Sequence, residues 1–348
     1  MTHTPVRLGL IGSGWIGAFH AETIAQRIPG AVLAAVADPQ PGAAERVAAP
    51  LATAHHTPRA LQSADELLAD PEIDGVVISS PAFTHTDLVV AVAEAGKAVF
   101  VEKPMALTLA DADRAIAAAA SAGVQLQVGF NRRFAHDFAA AHEVVSAGGI
   151  GTPQLLRSLT RDPGLANPGA VKPWTIFLET LIHDFDTLNW FNTGARPIEV
   201  FAVADALVAP EFKANGLLDT AVVTIRYDNG AIATAEANFS AAYGYDVRGE
   251  VFGSAGMVTA GDVHATAMRH FSATGAQAPT ARLNIELFRQ AYTDELVAFA
   301  NAVRGIAPAP GVRAPTGEDA RAALQIALAC VQSVEENRPV AIGLQPTA

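Results

Sequence analysis

Over the first 130 residues, short apolar runs rich in Val and Ile alternate with longer stretches of helical period. The apolar runs cover 6–11, 31–37, 75–78, 98–101 and 126–128, and the helical patterns between them cover 16–27, 43–49, 86–95 and 109–120. Strands alternating with helices predict βαβ units and a parallel sheet covered on both faces. The Ala-rich run 115–120 reads as the packed face of a helix, because Ala is the best helix former.

A further helix is expected over 134–147, and then the texture changes. Gly148, Gly149 and Gly151 mark a break, and one long helical pattern follows at 176–191. Strand-like runs come next, at 198–208, 219–227, 231–240, 246–252 and 257–260. Asp228-Asn229-Gly230 is a tight-turn signal, since Asn-Gly supplies positive φ, and Gly253-Ser254-Ala255-Gly256 marks a second turn. Strands joined by short turns are antiparallel. Helices over 287–303 and 318–336 close the pattern, separated by a Pro-rich loop over 308–315. The expected architecture is therefore α/β over residues 1–130, then α+β over 131–348 with an open, mostly antiparallel sheet. One face of such a sheet needs cover, which predicts a homo-oligomer.

Bulk properties narrow the partners. The 348 residues are 50% hydrophobic and 17% charged, inside the globular range. A formal net charge of -12 argues against nucleic acid or an anionic membrane as main partner. The single cysteine, Cys330, sits in an apolar helical run and excludes an intramolecular disulfide framework. The ten histidines show no paired ligand spacing and His55-His56 lie side by side, so no metal is expected. No apolar run approaches a membrane span, the start lacks a basic lead and cleavage site, and the expected location is cytoplasmic.

Gly12-Ser13-Gly14-Trp15-Ile16-Gly17 follows the first strand and opens the first helix. Gly12 can make the tight turn, Gly14 admits a pyrophosphate and Gly17 allows close helix–strand packing, with the helix N-terminus facing the phosphates. Asp38 ends the second strand about 20 residues on, where a carboxylate can bind a ribose 2′-hydroxyl. Pro39-Gln40-Pro41 follows, with no Arg or Lys before Arg46, so NAD is expected rather than NADP. Ser79-Ser80-Pro81 ends the third apolar run, at the carboxyl edge where open α/β sheets bind ligands.

Glu102-Lys103-Pro104 closes the fourth run of the same sheet and falls near the nicotinamide end. On the otherwise apolar helix 176–191, Glu179, His183 and Asp186 are spaced by four and three residues and form one polar stripe. Charged groups on a buried helix cost free energy unless they are paired or face a cleft. His183 is the natural proton acceptor, Asp186 can orient its ring, and Asp184 points off the stripe as a structural or solvated group.

These residues resemble the Gfo/Idh/MocA family of NAD(P)-dependent oxidoreductases over nearly the whole chain, from Gly12–Gly17 through Glu102-Lys103-Pro104 to Ile182-His183-Asp184-Phe185-Asp186. Gln127 to Phe134, Arg161-Asp162-Pro163 and Tyr243-Gly244-Tyr245-Asp246 are similar to the inositol 2-dehydrogenases of that family. The resemblance implies a Rossmann domain, an active-site Lys103 and a general base in His183. It places Asp186, Arg132, Tyr245 and Asp162 near substrate hydroxyls and allows a tetramer. Such relatives usually carry aspartate four residues before the histidine, where this chain has Glu179, and the segment Asn167 to Trp174 lacks the Gly-Gly step common in them and carries Lys172-Pro173-Trp174.

The expected reaction is NAD-dependent oxidation of a secondary hydroxyl on a cyclic polyol such as myo-inositol. The alternatives are the same chemistry on an aldose or glycoside, and a non-catalytic NAD-binding regulator. The regulator would be expected to have lost Lys103 or His183, and both are present.

Overall fold

The computed structural model describes residues 5–264, 266–308 and 313–343. Residues 309–312 of the expected Pro-rich loop lie outside the described residues. Contacts divide the chain into two units, Met1–Phe134 with Gln290–Arg321, and Ala135–Arg289 with Ala322–Ala348.

The first unit holds strands β1 (Val6–Ile11), β2 (Ala31–Ala37), β3 (Arg59–Leu61), β4 (Gly75–Ile78), β5 (Ala98–Glu102) and β6 (Leu126–Gly129). They form one parallel sheet in the order β3-β2-β1-β4-β5-β6. Helices α1 (Trp15–Arg27), α2 (Ala43–Ala48), α3 (Ala64–Leu68), α4 (His85–Glu94) and α5 (Leu109–Ala122) make the crossovers. Strand order reverses between β1 and β4, the switch point where such sheets bind ligands beyond their carboxyl ends. Leu8, Leu10, Val36, Val77 and Phe100 are buried in its core.

The sequence pattern assigns everything after residue 130 to the second part of the chain. In the structure, Gln290–Arg321 pack with the first unit instead. Leu296, Phe299 and Ala300 of α9 (Arg289–Val303) join the core of β1, β2 and α1, beyond the reach of a local periodicity argument. Burying each large apolar side chain contributes roughly 1.5–3 kcal/mol. The expected helix 287–303 is split at Phe288 into α8 (Asn284–Leu287) and α9.

The second unit carries helices α6 (His136–Ser146) and α7 (Ile182–Phe191), and α10 (Gly317–Glu336) from residue 322 on. Its sheet is built from β7 (Pro153–Arg161), β8 (Pro197–Asp205), β9 (Thr220–Tyr227), β10 (Ile232–Asn238), β11 (Asp246–Gly253), β12 (Gly256–Ala260) and β15 (Val340–Ala341), in the order β12-β11-β7-β10-β9-β8-β15. A separate hairpin joins β13 (His270–Ser272) to β14 (Gly275–Gln277).

The sheet is mostly antiparallel, as expected, with one parallel pair, β7 and β10. β7, a central strand, has no counterpart in the hydrophobic pattern. Ser158, Leu159 and Thr160 are all buried in it, so polar and apolar residues do not alternate. On one face Phe138 of α6 stacks with Phe191 of α7 at 6.1 Å, over Gly249. The opposite face keeps Leu155, Val203, Val222, Ile232, Phe252 and Met257 exposed.

A second difference concerns the long helix. Residues Ile176–Thr180 form a π-helical turn, closed by the Leu181 N–H donating to Ile176 O, five residues back. Only Ile182–Phe191 is α-helical. The stripe spacing thus holds for His183 and Asp186, whereas Glu179 sits in a wider turn with a different angular step.

Candidate functional site

In the first unit, the carboxyl ends of β1, β2 and β4 surround a cavity of about 1010 Å³. Gly12, Ser13, Gly14, Asp38, Ser80 and Pro81, all expected from sequence, line it. Gly12 has φ +94°, and a Cβ there would lie 2.5 Å from the Ser80 nitrogen. A Cβ on Gly17 would meet Gly12 O at 2.0 Å, whereas one on Gly14 would meet nothing within 4 Å. Close packing at two glycines and open backbone at the third fit a pyrophosphate at the start of α1, where Trp15, Ile16 and Gly17 form the first turn.

Asp38 is set by its neighbours. Its Oδ2 accepts from Ser13 N at 2.8 Å and Ser13 Oγ at 2.7 Å, and its Oδ1 accepts from Gln40 N at 2.9 Å. Burial raises its pKa, but these hydrogen bonds and the Arg46 charge outweigh burial and hold it below the ordinary value. Arg46 lines the same cavity and Phe83 stands exposed at it; the sequence marks Arg46 only as the first cation after Asp38, and Phe83 carries no sequence signal. Only the folding of α2 back toward Asp38 reveals Arg46.

Glu102 and Lys103 close β5. Glu102 is buried, with Oε1 at 2.6 Å from His20 Nε2, and Oε2 accepting from Lys103 N at 3.2 Å. Burial opposes its ionisation, yet the His20 hydrogen bond and the nearby Lys103 and His85 keep its carboxyl below the usual range. The Lys103–Pro104 bond is cis. His85 is buried with its ring nitrogens 2.8 Å from the carbonyls of Pro104 and Ser80, tying the loop after β5 to the one after β4. Arg132 is buried in the 3-10 turn Asn131–Phe134 that follows β6.

His20, Glu102 and Glu295 were not linked by any sequence spacing, because they come from three distant segments. Their donor atoms lie within 4.8 Å of one another, a grouping found among the described residues.

In the second unit, α7 is anchored by Asp184. This carboxylate is fully buried and accepts from Ser158 Oγ at 2.5 Å and Thr160 Oγ1 at 2.7 Å, both on β7. Asp184 is thus structural rather than solvated. The anchor turns its neighbour His183 elsewhere: His183 is partly exposed, and its carbonyl accepts from Thr187 Oγ1 at 2.8 Å. Asp186 is buried one turn on, and Glu179 is partly exposed in the π turn.

Asp162 directly follows β7 and Tyr245 directly precedes β11. Because Arg161 pairs with Asp246, these two sit at the same end of adjacent strands. Thr160, two residues before Asp162, holds Asp184, so the start of α7 is tied to that end too.

A doubly wound parallel sheet with a glycine turn after β1 and an acid at the end of β2 defines a dinucleotide-binding oxidoreductase. Residues 6–130 match the oxidoreductase family with the NAD-binding Rossmann fold, and residues 138–259 match the GFO/IDH/MocA C-terminal domain. Myo-inositol 2-dehydrogenase of Thermotoga maritima is 38% identical over 337 residues, 96% of this chain and 98% of that protein. The scyllo-inositol 2-dehydrogenase (NAD(+)) of Bacillus subtilis is 34% identical, covering 98% and 97%. The crystal structure of scyllo-inositol dehydrogenase from Lactobacillus casei, with bound NAD(H) and scyllo-inositol, aligns with a TM-score of 0.90 at 28% identity, covering 97% of this chain and 99% of that one. The chain belongs to the Gfo/Idh/MocA family and is an NAD-dependent dehydrogenase.

Proposed function

We propose that the protein oxidises a secondary hydroxyl of a cyclic polyol, myo-inositol or a related cyclitol, to the ketone. The observation that carries this reading is the full-length likeness to a chain whose structure holds NAD(H) and scyllo-inositol.

His183, one of two partly exposed residues on the mostly buried helix α7, accepts the hydroxyl proton. Asp186, one turn on, orients the imidazole. Lys103 stabilises the alkoxide that develops as this proton leaves, acting as a cation or hydrogen-bond donor. Bound NAD supplies the acceptor for the hydride lost from the carbinol carbon. Gly12–Gly17 and Asp38 hold the cofactor, with Ser80 and Pro81 beside it. Glu179, Arg132, Asp162 and Tyr245 contact the remaining hydroxyls and select among ring stereochemistries. The exposed apolar face of the second sheet supports assembly into a dimer or tetramer.

The test is the rate of NADH formation across a panel of inositol stereoisomers, aldoses and glycosides. The highest kcat/KM is expected on a cyclitol. An aldose or glycoside preferred by more than about tenfold would move the assignment to a sugar dehydrogenase.

A further inference from the structure

His20 and Glu295 have no part in the reaction proposed above, yet both are wholly buried beside the strand end that carries Lys103. His20 comes from α1, Glu102 from β5 and Glu295 from α9, and their donor atoms lie within 4.8 Å of one another. The rings of Phe19, Phe100 and Tyr292 surround His20. Both carboxylate oxygens of Glu295, and Nδ1 of His20, are enclosed without a hydrogen-bond partner.

The protons in this cluster can be counted from the geometry. His20 donates from Nε2 to Glu102; a second proton, on Nδ1, would be a buried donor with no acceptor. Glu102 accepts from both His20 and Lys103 N, and His20, Lys103 and His85 all favour its ionised form. It is therefore the ionised member. No donor points at the Glu295 carboxyl, although Gln127 Nε2 donates to its backbone carbonyl at 2.8 Å, and the charged group facing it is Glu102, which is negative. As an anion it would be desolvated, unbonded and repelled. As an acid it has an O–H to give, and Glu102 stands beside it as acceptor.

We propose that Glu295 remains a neutral carboxylic acid at neutral pH, hydrogen-bonds Glu102, and acts as a positioning residue for Lys103 through the carboxylate that receives the Lys103 N–H. Burial and the Glu102 charge also push the Glu295 carboxyl well above the ordinary carboxylate range. The consequence for Lys103 rests on the dehydrogenase reading above; the protonation state does not.

An infrared difference spectrum, wild type minus Glu295→Gln at neutral pH, tests the protonation directly. The expected result is a protonated-carboxyl C=O band present in the wild type and absent from the variant. Lack of that band would overturn the proposal whatever the substrate proves to be. Zinc or manganese found at one per chain in the wild type, and lost in Glu295→Gln, would also overturn it, because the three groups would then be ligands.

Kinetics test the positioning. Glu295→Leu, which cannot donate, is expected to lower kcat by about tenfold or more with NAD affinity little changed. Glu295→Gln keeps an N–H donor and is expected to recover most of that loss. Equal losses in the two variants would refute positioning. If the wild type oxidises no cyclitol or sugar, the proposed function fails while the infrared band still decides the state of Glu295.

Discussion

The Ser158 hydroxyl donates to Asp184 Oδ1 at 2.5 Å inside the second unit, and Thr160 donates to the other oxygen at 2.7 Å. Two hydroxyls of one strand thus fix the rotation of α7 about its axis, and so the direction in which His183 leaves it. Asp184→Ala would remove an acceptor from both hydroxyls in a buried site, at about 1–3 kcal/mol each. Asp184→Asn, which accepts at only one atom, should cost less. Urea denaturation of the three proteins measures the order, and equal midpoints would show that the anchor contributes nothing.

Asp38 should set the cofactor preference. Its carboxyl is held below the ordinary 3.8 by Ser13, Gln40 and Arg46 against the effect of burial. Stability drawn from those hydrogen bonds is present above the unfolded pKa and is lost only as pH falls through the lowered folded value. At neutral pH the charge repels a 2′-phosphate. With Arg46 already lining the cavity, Asp38→Ser should raise kcat/KM for NADP and lower it for NAD. A wild-type preference for NADP would refute this role of Asp38.

Lys103→Ala and His183→Ala should each reduce kcat, by about 10²–10⁴-fold for a general acid–base group. NAD titration of each variant should remain near wild type, since the glycine turn and Asp38 are untouched. The double variant should lose less than the product of the two, because both groups serve one developing alkoxide. Wild-type kcat/KM should rise with pH as the proton acceptor is freed.

The resemblance implies an aspartate where this chain has Glu179, and the π turn carries that residue. Glu179→Asp should reorder the cyclitol panel more than it changes the rate on any one member. An unchanged ranking with a shifted melting temperature would assign Glu179 to support of the helix.

Assembly should depend on the open face of the second sheet. Ile232 pairs with Leu155, Leu155 with Phe252, and Phe252 with Met257, so one exposed apolar row crosses four strands. Leu155→Arg with Phe252→Asp should shift a dimer or tetramer to monomer in light scattering. A monomeric wild type at micromolar concentration would refute the interface.

Much of this was legible from the chain alone. Hydrophobic period and punctuation located β1, β2, β4, β5, β6 and β8 to β12, because each signal is carried by residues close in sequence. The glycine turn was legible because local backbone geometry demands glycine at Gly12 and Gly17, and Asp38 and Lys103 because they lie at the ends of strands that the pattern locates. Tertiary structure decided the rest. β7 was hidden because its buried Ser158 and Thr160 are polar, and their reason is Asp184, more than twenty residues away. The π turn appears only in the hydrogen bond from Leu181 to Ile176, which no side-chain period announces. Arg46 beside Asp38, Gln290–Arg321 in the first core, and Glu295 beside His20 and Glu102 are products of chain packing. Period and punctuation report on neighbours along the chain, whereas burial and charge pairing depend on neighbours in space.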